Sequence, residues 1–322
     1  MTDRSDWTGC LNMKNKVGLT AGPLGRAVLS ELVGVSWLTN MDVNQVLDHN
    51  YRDRVRLALS RLGENPDGIT TATGLVVADY AFGAASEWRR HEQSLTALMP
   101  LLNEAAGILA ISESIAWWWD NVELTSQRWI QEVSSSALPR ATSAQVTKAA
   151  AEFHSISGWW SPLLDPRIPR TTRGPLKNAD TVEFLCHEDS YFYQSRELKI
   201  REFHPVADAQ VYEISSAADW ANLVDRFPKT ATTHKAAIWN DMFSMSEHWI
   251  EPDWEAVSEA FDGVHISVAG YLSAAYDPIK NGSYRTVLAG WNPDQTLWLR
   301  EGFVLGRSVA SVDTDKAIRR SD

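Results

Sequence analysis

The sequence predicts an α+β fold, with a helical N-terminal half packed on a mixed or antiparallel β-sheet C-terminal half. Three observations carry this expectation. Apolar residues recur at helical spacing through much of residues 24–153. Pro162, Pro166, Pro169 and Pro175 then crowd into 15 residues, with Arg167, Arg170 and Arg173 between them. Beyond them, short β-favouring runs alternate with polar clusters.

The first half reads as a series of helices. Gly22-Pro23-Leu24-Gly25 opens a short one, with Leu24, Val28, Leu29 and Leu32 on one face and Gly34 as its stop. Asn40 or Asp42 caps a second that ends at Gly63. Two more are expected over 69–110, with Pro100 a kink or boundary in the later one. Residues 111–119 are ambiguous between helix and strand. A short helix is expected over 125–133, and a longer one over 143–154 with Ser143 as its cap. The domain scheme is therefore a helical domain at 1–160, a Pro/Arg-rich linker at 161–175, an α+β sheet domain at 176–308 and a polar tail at 309–322.

The second half is expected to hold strands at 181–186, 191–194, 198–203 and 210–214, and a helix from Ser216 to Phe227 that Pro228 ends. Pro252 occupies the first turn of a helix over 253–261. The apolar run at 264–272 reads as a buried strand. Residues 286–289 and 296–299 flank a turn-rich loop and read as a hairpin.

Composition excludes several function classes. The net charge is −11, with 13 basic against 17 acidic residues over 1–160 and 17 against 24 over the rest. Both halves repel polyanions, which argues against nucleic acid as the main partner. The two cysteines, Cys10 and Cys186, make neither a disulfide scaffold nor a zinc knuckle. No apolar stretch is long enough to span a bilayer and the N-terminus carries no signal-like segment, so the cytoplasm is the expected location and no membrane partner is expected.

Local motifs are weak. The Gly18, Gly22 and Gly25 spacing matches no phosphate loop and reads as a turn before a helix. Cys186-His187-Glu188-Asp189 places potential ligands at consecutive positions, where an extended chain points neighbours to opposite faces, so no metal site is assigned. No cofactor follows from the residues.

The candidate site lies in the late strands. His265 and Ser267 share a strand face by their spacing of two, and polar groups inside an apolar strand must find partners or meet a ligand. Glu301 is the neighbouring carboxylate. His265, Ser267 and Glu301 are the candidate catalytic residues, Arg201 and Arg300 the anion-binding candidates, and Trp291, Trp298 and Trp220 the stacking candidates. The order Arg201, Ser267, Glu301 resembles the Arg–Ser–Glu arrangement of ADP-ribosyltransferases. That resemblance implies that Arg201 steadies dinucleotide phosphates, Ser267 shapes a nicotinamide pocket and Glu301 holds a ribose hydroxyl. It departs from the family in having Ile266-Ser267-Val268 for the Ser-Thr-Ser run and Leu299-Arg300-Glu301 for the acid-x-Glu turn. The expected function is group transfer from a nucleotide-containing substrate. The alternative is a non-catalytic assembly module, a homodimer through the helical half, anchored by Trp117-Trp118-Trp119 and Trp159-Trp160 among the 15 tryptophans.

Overall fold

A computed structural model describes residues 18–32, 49–64, 92–132, 141–156, 159–174 (except 164 and 166) and 197–313. The fold is α+β, with helices dominating up to residue 119 and strands dominating after it. The chain divides into two compact units, residues 1–119 with 272–277, and residues 120–271 with 278–322. Among the described residues no helix is long and apolar enough to cross a membrane.

The first unit contains α1 (Pro23–Leu32), α2 (His49–Glu64), α3 (Glu92–Leu109) and a 3-10 helix (Glu113–Trp119). Pro23 occupies the first position of α1, where its missing N–H would find no helical partner in any case. Pro100 does not end α3; the helix continues through it, because Leu98, Leu102, Ala105 and Leu109 bury a continuous stripe that outweighs one lost hydrogen bond. The tryptophan triplet adopts the 3-10 form.

The second unit is built on a mixed seven-stranded sheet. In chain order, residues from 120 on form β1 (Gln127–Glu132), α4 (Ser143–Ile156), β2 (Arg170–Arg173), β3 (Glu197–Pro205), β4 (Val211–Ile214), α5 (Ala217–Arg226), β5 (Pro228–Thr230), α6 (Thr233–Phe243), β6 (Ile250–Pro252), α7 (Trp254–Ala260), β7 (Gly263–Ile266), α8 (Val268–Ala274, whose last turn belongs to the first unit), β8 (Ile279–Asn281), β9 (Tyr284–Thr286), β10 (Thr296–Trp298) and β11 (Phe303–Asp313). The sheet order is β11-β3-β1-β2-β10-β7-β4. Every pair is antiparallel except β4 with β7, which are parallel and joined through α5, β5, α6, β6 and α7. Helix α4 packs on α7, and α5 packs on β4.

Several expectations change here, each for an identifiable reason. Residues 125–133 hold strand β1, not a helix, because pairing with β2 on one side and β3 on the other overrides weak local preference. The stretch at 161–175 is no linker: Ser161 and Leu163 are buried, and β2 is a central strand. β2 starts immediately after Pro169, so no proline sits where the ladder needs an N–H. Thr142, not Ser143, caps α4, since Thr142 and Gln145 exchange hydrogen bonds of 3.1 Å and 3.2 Å across the first turn. Pro252 lies in β6, and Asp253 caps α7 through the Glu255 N–H at 3.2 Å. The apolar run at 264–272 is strand only to Ile266. There the Ser267 hydroxyl accepts the Gly270 N–H at 3.0 Å and starts α8. A helix apolar all round is a buried one, so continuous apolar character did not discriminate. Segments 286–289 and 296–299 form no hairpin; β9 pairs with β8, whereas β10 inserts between β2 and β7. Strand β11 extends through Asp313, past the expected start of the tail. The strands expected at 181–186 and 191–194 lie outside the described residues.

Register fixes what shares a face. Arg201, Trp129, Thr171, Thr296, His265 and Glu213 are successive partners across β3, β1, β2, β10, β7 and β4, so they form one row on one face. Trp129 of that row joins Phe203 and Trp298 in a buried aromatic cluster, with Leu124, Val211, Phe303 and Leu305 against it. Ile130, Ile200, Ile214, Val264, Ile266 and Leu297 alternate with these residues and are all buried. Phe203→Ala should therefore lower the unfolding free energy by about 3–5 kcal/mol, whereas Val304→Ala on the exposed side of β11 should change it by less than about 0.5 kcal/mol, both read by urea denaturation.

Candidate functional site

The centre of the sheet row carries an ionic chain. His265 Nδ1 lies 2.6 Å from Glu213 Oε2, and its Nε2 lies 3.5 Å from Asp294 Oδ1. Arg173 Nε donates to Asp294 Oδ1 at 2.8 Å, and the Arg173 backbone N–H donates to Asp294 Oδ2 at 3.0 Å. The Thr172 hydroxyl adds a third donor to Asp294 at 2.7 Å. Arg173 NH1 reaches the exposed Asp120 carboxylate at 3.5 Å. The series Glu213, His265, Asp294, Arg173, Asp120 thus alternates in sign along its whole length.

Different elements deliver each member. His265 comes from β7 and Glu213 from its parallel neighbour β4. The second Glu213 oxygen accepts the Val122 N–H at 3.0 Å, so the segment before β1 fixes the rotamer of this side chain. Asp294 sits in the turn that precedes β10 with φ 55°, a left-handed conformation that Asp tolerates better than most residues. That turn is pinned. Asn292 donates to Gln295 Oε1 from both its backbone and its side chain, and Trp291 Nε1 donates to Ser161 Oγ at 3.1 Å. Gly290, with φ 76°, has Trp160 so close that any β-carbon would collide with the indole.

His265 and Asp294 are each 1% exposed, whereas Glu213 is 22% exposed at its side chain. Burial alone would drive the imidazole to its neutral form. The hydrogen bonds to Asp294 and Glu213, and the charges of both carboxylates, outweigh it and raise the His265 pKa to about 9. For Asp294 burial works upward, but the His265 hydrogen bond, its charge and Arg173 hold the carboxyl below its ordinary range. At neutral pH His265 is a buried imidazolium between two carboxylates. Beside this chain the buried Thr296 Oγ1 meets no hydrogen-bond partner among the described residues, although Thr296 stands directly between His265 and Thr171 in the row.

The residues singled out from the sequence are distributed as follows. His265 is in the chain just described. Ser267 caps α8, and Glu301 is exposed in the loop before β11. Arg201 lies four strands from β7, roughly 19 Å at the usual strand spacing. It is held by Gly306 O at 2.9 Å and Gln131 Oε1 at 3.2 Å. The Arg–Ser–Glu order therefore does not converge in space. Arg300 clamps the end of α7, donating to the carbonyls of Ser258 and Glu259 and facing Asp262. The rings of Trp220, Trp291 and Trp298 are buried, and their N–H groups are taken by Thr286, Ser161 and Thr171. Glu213, Asp294 and Arg173 were not singled out. The available signal was a charged residue inside an apolar run, Glu213 between Tyr212 and Ile214, which is the criterion that found His265. Among the described residues no group of three or more His, Cys, Asp or Glu side chains is arranged to hold a metal; the 186–189 run lies outside them.

Compared with known proteins, the chain matches no family, no curated protein and no solved structure.

The sign of the pH dependence follows from the chain. A folded-state pKa raised from 6.5 to about 9 adds stability that is complete below the unfolded value and disappears as pH rises through the folded one. Denaturation of the wild type at pH 6, 7.5 and 9.5 should show stability falling across this window by on the order of 3 kcal/mol. His265→Asn should be less stable at pH 6 and flat between pH 6.5 and 9. Asp294 acts with the opposite sign, since its depressed pKa withdraws stability as pH falls into the acid range.

Proposed function

We propose that residues 120–271 with 278–322 form the catalytic unit of a group-transfer enzyme, with Glu213 as its acid–base residue. One observation supports this reading above others: Glu213 reaches solvent at one end of the ionic chain, bonded directly to His265, while the inner members His265, Asp294 and Arg173 are buried. Buried charges are costly, and apolar residues of equal volume would stabilise a sheet core at least as well. Perturbed ionisable groups backed by a defined charge partner concentrate at functional sites. In this reading the Glu213 carboxylate takes the proton of an attacking hydroxyl as the transferred group leaves its carrier. His265 does not touch substrate. It is a positioning residue that holds one Glu213 oxygen, while Val122 holds the other. A nucleotide-containing substrate remains the proposed carrier; it rests on the sequence-level expectation and not on a contact of these residues.

The assembly-module alternative has less support. Trp117 and Trp118 are buried, and Trp119, Trp159 and Trp160 are half-buried. The Trp159 carbonyl also accepts the Trp239 indole N–H at 2.8 Å, which makes it part of the second unit's own packing.

A thermal-shift panel of nucleotides, followed by mass-spectrometric detection of turnover, tests both parts. A nucleotide carrier should raise the melting temperature by mass action and be consumed. Glu213→Gln should keep the shift and lose turnover by about 10²–10⁴-fold. If no nucleotide shifts the wild type, the carrier class is wrong. If Glu213→Gln turns over like the wild type, the acid–base assignment is wrong.

A further inference from the structure

A second arrangement, separate from the ionic chain and independent of the acid–base reading, lies at the outer strand of the sheet. Arg226, in the last turn of α5, is exposed. Its guanidinium carbon stands 5.1 Å from the Phe261 ring centre, 5.2 Å from Phe227 and 5.9 Å from Tyr212. The three rings are set edge to face, Tyr212 on Phe261 at 5.3 Å and Phe227 on Phe261 at 6.2 Å. They come from β4, from the residue after α5 and from the residue after α7.

Each ring is anchored. The Tyr212 hydroxyl donates to the Asp219 carbonyl at 2.7 Å. The Phe227 backbone donates to Leu223 at 3.1 Å and accepts from Asp253 at 2.8 Å, and the Phe261 N–H donates to Val257 at 2.9 Å. The guanidinium is thus held against three fixed rings and not against an acid. Among the described residues it makes no ion pair and no hydrogen bond, although this protein has 41 acidic side chains against 30 basic ones. Arg26, Arg56, Arg128, Arg167, Arg173, Arg201, Arg285, Arg300 and Arg307 all donate to an oxygen.

Ring contact occupies the π surface of a guanidinium and leaves its N–H edge available. A freely moving arginine loses much side-chain entropy on meeting an anion; one already held by three rings loses less. The forked edge matches two oxygens of one oxyanion. The acidic surface selects for a single small anion over a polyanion.

We propose that Arg226, held by Tyr212, Phe227 and Phe261, is the binding residue for the phosphate group of a small phosphomonoester. The test uses full-length ¹⁵N-labelled protein, with inorganic phosphate as probe and acetate as control at matched ionic strength. The Arg226 Nε–Hε resonance is assigned by its loss in Arg226→Gln. Phosphate should shift that resonance saturably and at lower concentration than acetate, whose single charge gains less from the same fork. Phe261→Leu keeps an apolar core side chain and should weaken phosphate binding about fivefold, the effect of losing one ring contact of the usual strength. Arg226→Lys keeps the charge but loses the fork, so a binding change reported by neighbouring backbone amides should fall by at least the same factor. Equal responses to phosphate and acetate, absence of saturation, or full binding by Arg226→Lys would each overturn the proposal.

Discussion

The second unit depends on one electrostatic constraint, an imidazolium placed inside a β-sheet. His265 can sit there only because Glu213 comes from one side and Asp294 from the other. Removing either carboxylate leaves an unbalanced buried charge, so the three positions act as one element and not as independent contacts. The same constraint explains the path of the chain around them. Strand β4 pairs with β7 in the register that brings Glu213 beside His265, and the turn before β10 carries Asp294 to the Arg173 backbone N–H at the end of β2. The left-handed backbone of that turn is held by three buried side chains: Asn292 bonds Gln295, and Ser161 accepts from Trp291 and the Ala289 N–H.

The described tryptophans of the second unit serve that frame more than any surface. Trp129 belongs to the row and packs with Trp298, and Trp220 and Trp254 each meet Trp291, at 6.4 Å and 6.1 Å between ring centres. Each of these last three donates its indole N–H to an oxygen, so the rings combine area burial with a directional bond. An aliphatic core of equal volume would bury similar area without fixing where Ser161, Thr171 and Thr286 point. The high tryptophan content therefore has a structural account that does not require a stacked ligand.

Legibility in the sequence followed the range of the interactions. Local signals were readable: Ser216 before an amphipathic run became the cap of α5, accepting the Asp219 N–H, and the apolar stripe of Trp220, Leu223 and Val224 became its buried face. Pairing was not readable. Gln127–Glu132 took the form of a strand because a partner lay on each side, and Arg170–Arg173, which follow Pro169, became central for the same reason. The site showed the same split. His265 stood out as a polar residue in an apolar run, whereas Asp294 looked like ordinary turn chemistry and Arg173 like part of a proline-rich connection. Their roles exist only once β2, β7 and β10 are neighbours, a relation among residues more than a hundred positions apart.

Three arginines show how one residue type separates structure from exposed chemistry. Arg173 is buried, and its guanidinium faces Asp294 and Asp120, so its charge is already matched by carboxylates of the chain. Arg300 likewise donates to carbonyls that end a helix, which is the usual complement to the negative end of a helix dipole. Arg226 also lies in the last turn of a helix, yet among the described residues three aromatic rings hold it, and the side chain is exposed. A charge matched by fixed protein partners contributes to the fold. A charge held in place without such a partner keeps its interaction energy for whatever anion arrives.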